Sequence, residues 1–489
     1  MPGRLPHLEQ KVVVAVVFVA AMFMSIMDVT IVNVALPTIG RDFKVAPTAV
    51  SAVSIAFLVS LAVFIPASGW LGDRFGGKRV LLSAIVVFTV ASALCGLAQN
   101  MTELVLFRVL QGVGGGMLTP VGMAMLYRAF PPAERVRAAS ILTTPTALAP
   151  AAGPVLGGLL VSDLSWRWVF YVNVPIGIAA AVFGTLFLDS VPESQPGRFD
   201  GIGFAIAGAG LGLAMYGVSE GPTRSWGSPE VVATIVAGFL LLAVLVRFEL
   251  RSDAPLIDFR QLSNGLFRIG TGVTLLTTAS LLGVLYVITL YFQDGRGLTA
   301  LNAGLSTFPE ALGVMAGAQI ASRVVYPRLG PRRHVLIGTI GMSLTVSLLA
   351  FIGPTTSLWW IRAVMFTMGI FLGQIFVPTQ AASFATISSA STGRASTLFN
   401  AIRQVGGAIG VAALTSVIVA VGVTRAAAAG RVADFDGYHA AFAVAAAATV
   451  AAAFISRKIV DADAASTLPG IRSRHLVPDD EPSALVLDG

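Results

Sequence analysis

A single cysteine, Cys95, stands in a chain of 489 residues. One thiol cannot form an internal disulfide, and its place inside an apolar run reads as a small buried residue rather than a reactive group. Histidine is nearly as scarce: His7, His334, His439 and His475 are scattered, and neither they nor the lone cysteine form a metal-spaced cluster. Charge is scarce as well. Only 12% of residues are Asp, Glu, Lys or Arg, against about a quarter in soluble domains, which excludes an ordinary soluble enzyme. No glycine-rich lysine loop and no nucleophile elbow occurs, so ATP hydrolysis on this chain is excluded. No cofactor is expected, and no enzyme activity.

What the chain has instead is apolar length. Hydrophobic residues make up 55% of it and the mean hydropathy is +0.82. Apolar runs of about 20 residues, enough to cross a bilayer core of roughly 30 Å, recur from Lys11 to Arg457. This describes a polytopic all-α membrane protein, with a lipid bilayer and not nucleic acid as the partner of its +7 charge. Polar breaks divide the runs into fourteen spans near 12–35, 50–71, 80–98, 103–126, 138–161, 169–189, 201–219, 231–248, 267–292, 302–325, 334–352, 358–383, 395–421 and 438–456. The first run shows no clear small-residue cleavage site and is read as a retained span. With the N-terminus inside, 22 of the 32 Lys and Arg residues fall on cytoplasmic segments, counting Arg247, Arg268 and Arg323 at the cytoplasmic ends of their spans, and 7 on outer loops. That bias sets both termini in the cytoplasm by the positive-inside rule. Residues 1–11 are then a short cytoplasmic N-terminus, and the polar segment 460–489 is expected to be a disordered tail.

A constant shift of 254 residues lays Arg74-Phe75-Gly76-Gly77-Lys78-Arg79 on Arg328-Leu329-Gly330-Pro331-Arg332-Arg333. The same shift carries Arg108 onto Arg362, Gly115 onto Gly369 and Gly153 onto Gly407. Residues 12–190 and 265–457 therefore read as two six-helix halves, with 201–250 an inserted two-helix hairpin. Related halves rocking about a central site provide alternating access, as a secondary transporter requires and a channel does not.

Few charges lie inside spans. Asp28 sits some 16 residues into span one, about 24 Å from its cytoplasmic end. An ionisable group at that depth faces a cavity or a partner and is a functional candidate, here as proton carrier. Arg108 lies in span four, about 8 Å below the outer surface. It shares a face with Gly112, Gly115 and Thr119, a stripe that admits another helix closely, and it is the expected counter-ion of Asp28. Glu310 follows Pro309 in span ten at a depth similar to Asp28 in the other half, which makes it a candidate for the substrate cavity or for a second proton. Arg403 stands near the cytoplasmic start of span thirteen, where snorkelling reaches the interface, and is given a structural role.

The loop after span two reads Gly69-Trp-Leu-Gly-Asp73-Arg74-Phe-Gly76-Gly77-Lys78-Arg79. It resembles the cytoplasmic signature of the major facilitator superfamily. Asp28-Val-Thr30-Ile-Val-Asn33-Val-Ala-Leu-Pro37 and Trp166-Arg167-Trp168-Val-Phe-Tyr-Val-Asn173-Val-Pro175 resemble its fourteen-helix drug:proton antiporter branch. The resemblance implies that Asp73, Arg74, Lys78 and Arg79 gate the cytoplasmic side. It also implies that Arg108, in Arg-x-x-Gln-Gly, takes part in proton coupling. Ala149-Pro150-Ala-Ala-Gly153-Pro154-Val-Leu-Gly157-Gly158 is similar to the family's exporter motif, in which Gly153, Pro154, Gly157 and Gly158 pack helices closely. The implied function is a monomeric, proton-driven exporter of amphipathic organic compounds such as antibiotics, antiseptics or dyes, cationic or neutral, in the cytoplasmic membrane. The alternatives are export of an endogenous metabolite or lipid by the same fold, and proton-coupled uptake.

Overall fold

The computed structural model describes residues 8–45, 50, 52–190, 198–252, 255–388, 391–422, 424–427, 430–433 and 435–468. Each expected apolar run lies on a helix: α1 (Gln10–Asp42), α2 (Ala52–Phe75), α3 (Gly77–Leu97), α4 (Met101–Ala129), α5 (Arg135–Asp163), α6 (Asn173–Phe187, preceded by the short turn Trp168–Tyr171), α7 (Gly201–Arg224), α8 (Pro229–Glu249), α9 (Gly265–Leu290), α10 (Ala300–Ile320), α11 (Tyr326–Leu349), α12 (Leu358–Ser383), α13 (Thr392–Val421) and α14 (Asp436–Ser456). Among the described residues, eleven helices are long and apolar enough to cross a membrane. The starts obey local chemistry. Asn100, Asp200, Ser228, Asn264 and Thr299 each accept a backbone N–H three residues on, which satisfies one of the donors a helix start leaves orphaned.

Helices run between two ends of one bundle. At the near end Gln10 Nε2 donates to the Phe187 carbonyl (2.8 Å) and Lys11 pairs with Glu134 (3.1 Å). At the far end Asp42 accepts from Trp166 Nε1 (2.8 Å) and Arg167 Nη1 (3.3 Å). The outward faces are apolar: Leu240 is 62% exposed, Leu344 64% and Val419 66%. Such a surface suits lipid and not water. The hairpin α7–α8 packs on α2, with Phe204 on Phe64 and Phe199 on Trp70, ring centroids 5.7 and 5.0 Å apart.

The 254-residue shift has a backbone counterpart. Gly76, which opens α3, has φ 84°, and Gly330, its counterpart inside α11, has φ 70° and breaks the helix there. Only glycine adopts this left-handed conformation without strain, so each repeated loop turns on the same residue type.

One expectation is corrected. The irregular tail does not begin at 460. Asp461–Thr467 forms a 3-10 turn packed back on the near end, with Asp461 accepting the Arg332 N–H (2.8 Å) and Tyr326 Oη bonded to Thr467 Oγ1 (2.5 Å). Its small and polar residues supply the acceptors that hold it; residues 469–489 lie outside the described residues. Before α14 the chain forms an antiparallel hairpin, Thr424–Ala427 with Gly430–Ala433.

The early and late helices join at the near end. There Phe384, Leu398 and Phe399 share an apolar core with Phe18, Leu126 and Tyr127. At the far end the core around Ile31, Ala35, Cys95 and Phe170 draws on α1–α4 and the turn before α6, with Leu156, Leu160 and Val161 of α5 packed against it.

Candidate functional site

Asp28 lies at the centre of a buried polar knot made by four helices. From α4, Arg108 Nη1 donates to Asp28 Oδ2 at 2.5 Å, and Gln111 Nε2 donates to Asp28 Oδ1 at 2.9 Å. From α6, Asn173 Nδ2 donates to the same Oδ1 at 3.0 Å. Ser92 of α3 completes the set: it accepts from Gln111 (3.2 Å) and Asn173 (3.1 Å) and donates to the Phe170 carbonyl (2.9 Å). Arg108 Nη1 also donates to Gln111 Oε1 (2.7 Å) and its Nε to the Val53 carbonyl (3.1 Å), with Phe57 under its guanidinium at 4.2 Å. Asp28, Gln111, Ser92 and Asn173 are fully buried and Arg108 is 1% exposed. A buried ion pair persists only when its remaining groups are hydrogen-bonded, and this one is, from three neighbouring helices. Cys95 is buried at its edge, as expected, 3.7 Å from Gln111.

Glycines let the knot close. A Cβ on Gly112 would stand 2.7 Å from the Phe57 carbonyl of α2, and one on Gly114 2.7 Å from the Phe88 nitrogen of α3. α4 is thus clasped on two faces by helices that only glycine admits. On α1, just past Asp28, Gly153 meets Thr30, whose Oγ1 would lie 2.0 Å from an added Cβ, and Gly157 meets Ile31 and Val34. Gly158 has nothing within 4 Å and takes no part in this contact. The side chain of Pro154 lies outside the described residues.

The expected gate residues separate in the structure. Asp73 is buried at the near end, where its Oδ1 accepts from Arg128 Nη2 at 2.9 Å, and Gly393 of α13 lies against its carboxylate. Ser68 meets Thr397 (3.3 Å), and Ser396 donates to the Pro120 carbonyl (2.9 Å), so α13 is tied to α2 and α4 here. Arg74 and Arg79 are exposed. Lys78 donates to the carbonyls of Thr185 and Leu188 at the end of α6, where a cation answers the unsatisfied last carbonyls. It serves as a helix cap.

Glu310 is buried on α10 beside α12, where Gly369 packs so closely that a Cβ would stand 2.1 Å from the Glu310 carbonyl oxygen. Among the described residues no ion pair joins it to Asp28 or Arg108. The first half alone carries the knot. The shift puts Leu282, Val346 and Met365 at the places of Asp28, Ser92 and Gln111, and Arg362 donates to Ser306 Oγ (3.3 Å) with Trp359 under its guanidinium.

A cavity between early and late helices, nearer the near end than Asp28, is lined by Phe18, Met22, Met123, Phe376, Phe399 and Arg403 among others. Arg403 therefore faces the interior and does not snorkel. Gln111, Asn173, Ser92 and Arg128 were not singled out from sequence as site residues. Gln111 and Asn173 stand inside quoted motifs, which was the available signal; Ser92 and Arg128 gave none.

Comparison with known proteins agrees with this architecture. The chain is 32% identical over 389 residues to the multidrug resistance protein B homolog of Mycobacterium tuberculosis, covering 78% of this chain and 72% of that protein. It is 31% identical over 391 residues to the tetracenomycin C resistance and export protein of Streptomyces glaucescens, covering 78% and 71%. The fold is that of the human organic anion transporter MFSD10, with a TM-score of 0.63 at 14% identity over 93% of this chain and all of that one. The sequence pattern of the Major Facilitator Superfamily matches residues 18–411, and the chain belongs to that family as a multi-pass membrane transporter.

Proposed function

We propose that this transporter exports amphipathic organic compounds, antibiotics, antiseptics or dyes among them, from the cytoplasm in exchange for protons. The observation that carries the reading is the buried Asp28–Arg108 pair at 2.5 Å, closed by Gln111 and Asn173. A carboxylate deep in the bundle, held by donors from two further helices, can take a proton only by giving up the arginine, so protonation and helix rearrangement are one event. Relatives named for multidrug resistance and for tetracenomycin C export support the outward direction.

In this reading all fourteen helices cross the membrane, α1–α6 and α9–α14 are the two moving halves, and the near end with both termini is cytoplasmic. The contacts of α13 with α2 and α4 then close the cytoplasmic side. A proton from outside reaches Asp28 and displaces Arg108. The loosened knot frees α4 to shift against α1, and the strain passes along α4 to Arg128 and the Asp73 gate. Opening the gate admits substrate and releases the proton inward. Glu310 is a candidate for a second proton site on α10.

Dye accumulation in cells with and without the gene, before and after a protonophore, tests the proposal. Export should stop at once when the gradient collapses, even with ATP intact. Export that survives the protonophore and fails on ATP depletion overturns it.

A further inference from the structure

The exporter reading does not say what chemistry the central cavity selects, and this inference rests on that reading only for transport. Arg403 enters the cavity from α13, and its Nε is buried with no hydrogen-bond partner among the described residues. No carboxylate is among the residues lining the cavity. The buried carboxylates nearest to it along α1 and α2 are already taken, Asp28 by Arg108 and Asp73 by Arg128. A guanidinium stays charged at any working pH, and a buried charge without a counter-ion is costly.

The neighbouring amide donors are only partly used. Gln380 Nε2 has the Met123 sulfur at 4.0 Å, and Asn400 Nδ2, which donates to the Ser396 carbonyl of its own helix at 2.9 Å, turns its other hydrogen to the same sulfur at 3.3 Å. A thioether is a weak acceptor. The cavity thus combines one cation and two amide groups with aromatic and thioether surface, Phe376, Phe399 and Met22.

We propose that Arg403 is the recognition point for an anionic group, and that the substrates favoured here are flat aromatic acids. Their carboxylate or phenolate sits on Arg403 with Gln380 and Asn400, and their apolar body lies on Phe399 and Phe376. This revises the cationic preference expected from sequence.

The test is equilibrium binding of a pyrene carboxylate and the matching pyrene carboxamide to the full-length protein in lipid nanodiscs. The two probes differ in charge and little else. The native protein should bind the carboxylate more tightly. Arg403→Gln should weaken the carboxylate by about tenfold to a hundredfold and leave the carboxamide unchanged, which also reports that the variant is folded. Arg403→Lys, which keeps the charge, should retain part of the preference, and carries the test if the glutamine variant does not fold. Equal affinity of the native protein for both probes, binding of neither, or equal weakening of both by Arg403→Gln overturns the proposal. Protonophore-sensitive export together with no carboxylate preference refutes this inference alone; a carboxylate preference together with protonophore-insensitive export refutes proton antiport alone.

Discussion

Asn173 Nδ2 donates to Asp28 Oδ1 at 3.0 Å across 145 residues of chain, on the side of the carboxylate away from Arg108. Arg108 and Asn173 come from different helices, so Asp28 registers the position of α4 and of α6 at once. A proton on the carboxyl weakens both ties.

Asp28→Asn retains the size and one acceptor oxygen but cannot titrate. The variant should insert in the membrane and keep substrate binding within a few-fold, while substrate-dependent proton movement is lost. Proton flux in reconstituted vesicles with an interior pH dye measures this. Gradient-driven export at the native rate by Asp28→Asn moves the carrier role elsewhere, with Glu310 the next residue to examine.

Asn173→Leu removes a neutral donor to a charged acceptor and leaves the Asp28–Arg108 pair in place. Hydrogen bonds to charged groups contribute about 1.5–3 kcal/mol, so the pH profile of transport should move. The same assay run as a pH series reads this directly. A profile unmoved by the substitution makes Asn173 a packing residue only.

The knot shows where sequence reasoning reached and where it stopped. Asp28 and Arg108 stood out because a charge inside an apolar run is expensive and therefore visible. Ser92, Gln111 and Asn173 are neutral, and nothing in one chain says that helices three, four and six bring them to the same carboxylate. The repeat located Gly76 and Gly330 as equivalent turns. Depth along a helix axis says nothing about which face a residue occupies, so the sequence placed Glu310 at a height but not against a neighbour. The surroundings of Lys78 and Arg403 were hidden for the same reason. One stood in a gating motif but caps α6; the other stood close enough to the interface to snorkel but faces the cavity. Helix positions were legible throughout, because apolar runs and their capping residues are local properties.

Asp73 and Arg128 form a 2.9 Å pair beside α13, and Arg128 is 26% exposed. An ion pair with solvent access contributes little to overall stability, but this one sits where α2 and α4 meet α13 and so weighs on the balance between conformations. Asp73→Asn should lower turnover severalfold with little change in substrate affinity, since a gate alters populations and not contacts. Arg128→Gln should match it, and the double variant should be no worse than either single one. Initial rates over a substrate series separate the two parameters. A large affinity loss at unchanged turnover would place Asp73 in the binding site.

Gly153 and Gly158 lie five residues apart on α5 and make opposite demands. A Cβ at Gly153 would stand 2.0 Å from Thr30 Oγ1 and 3.0 Å from the Ile31 nitrogen, two and three residues past Asp28 on α1. Backbone cannot give way cheaply, so α5 must withdraw from α1, and helix contact inside a bilayer depends on such close approach. At Gly158 an added Cβ meets nothing within 4 Å. Gly153→Val should therefore lower the thermal unfolding midpoint and strongly reduce export, by an overpacking cost on the order of 1–3 kcal/mol, whereas Gly158→Val should leave both near native values. Thr30→Ala, which removes the nearest clashing atom, should return part of the stability lost in Gly153→Val. Equal damage from the two glycine substitutions would mean that the segment matters through backbone flexibility, and the α1–α5 contact beside Asp28 would lose its claim to a part in transport.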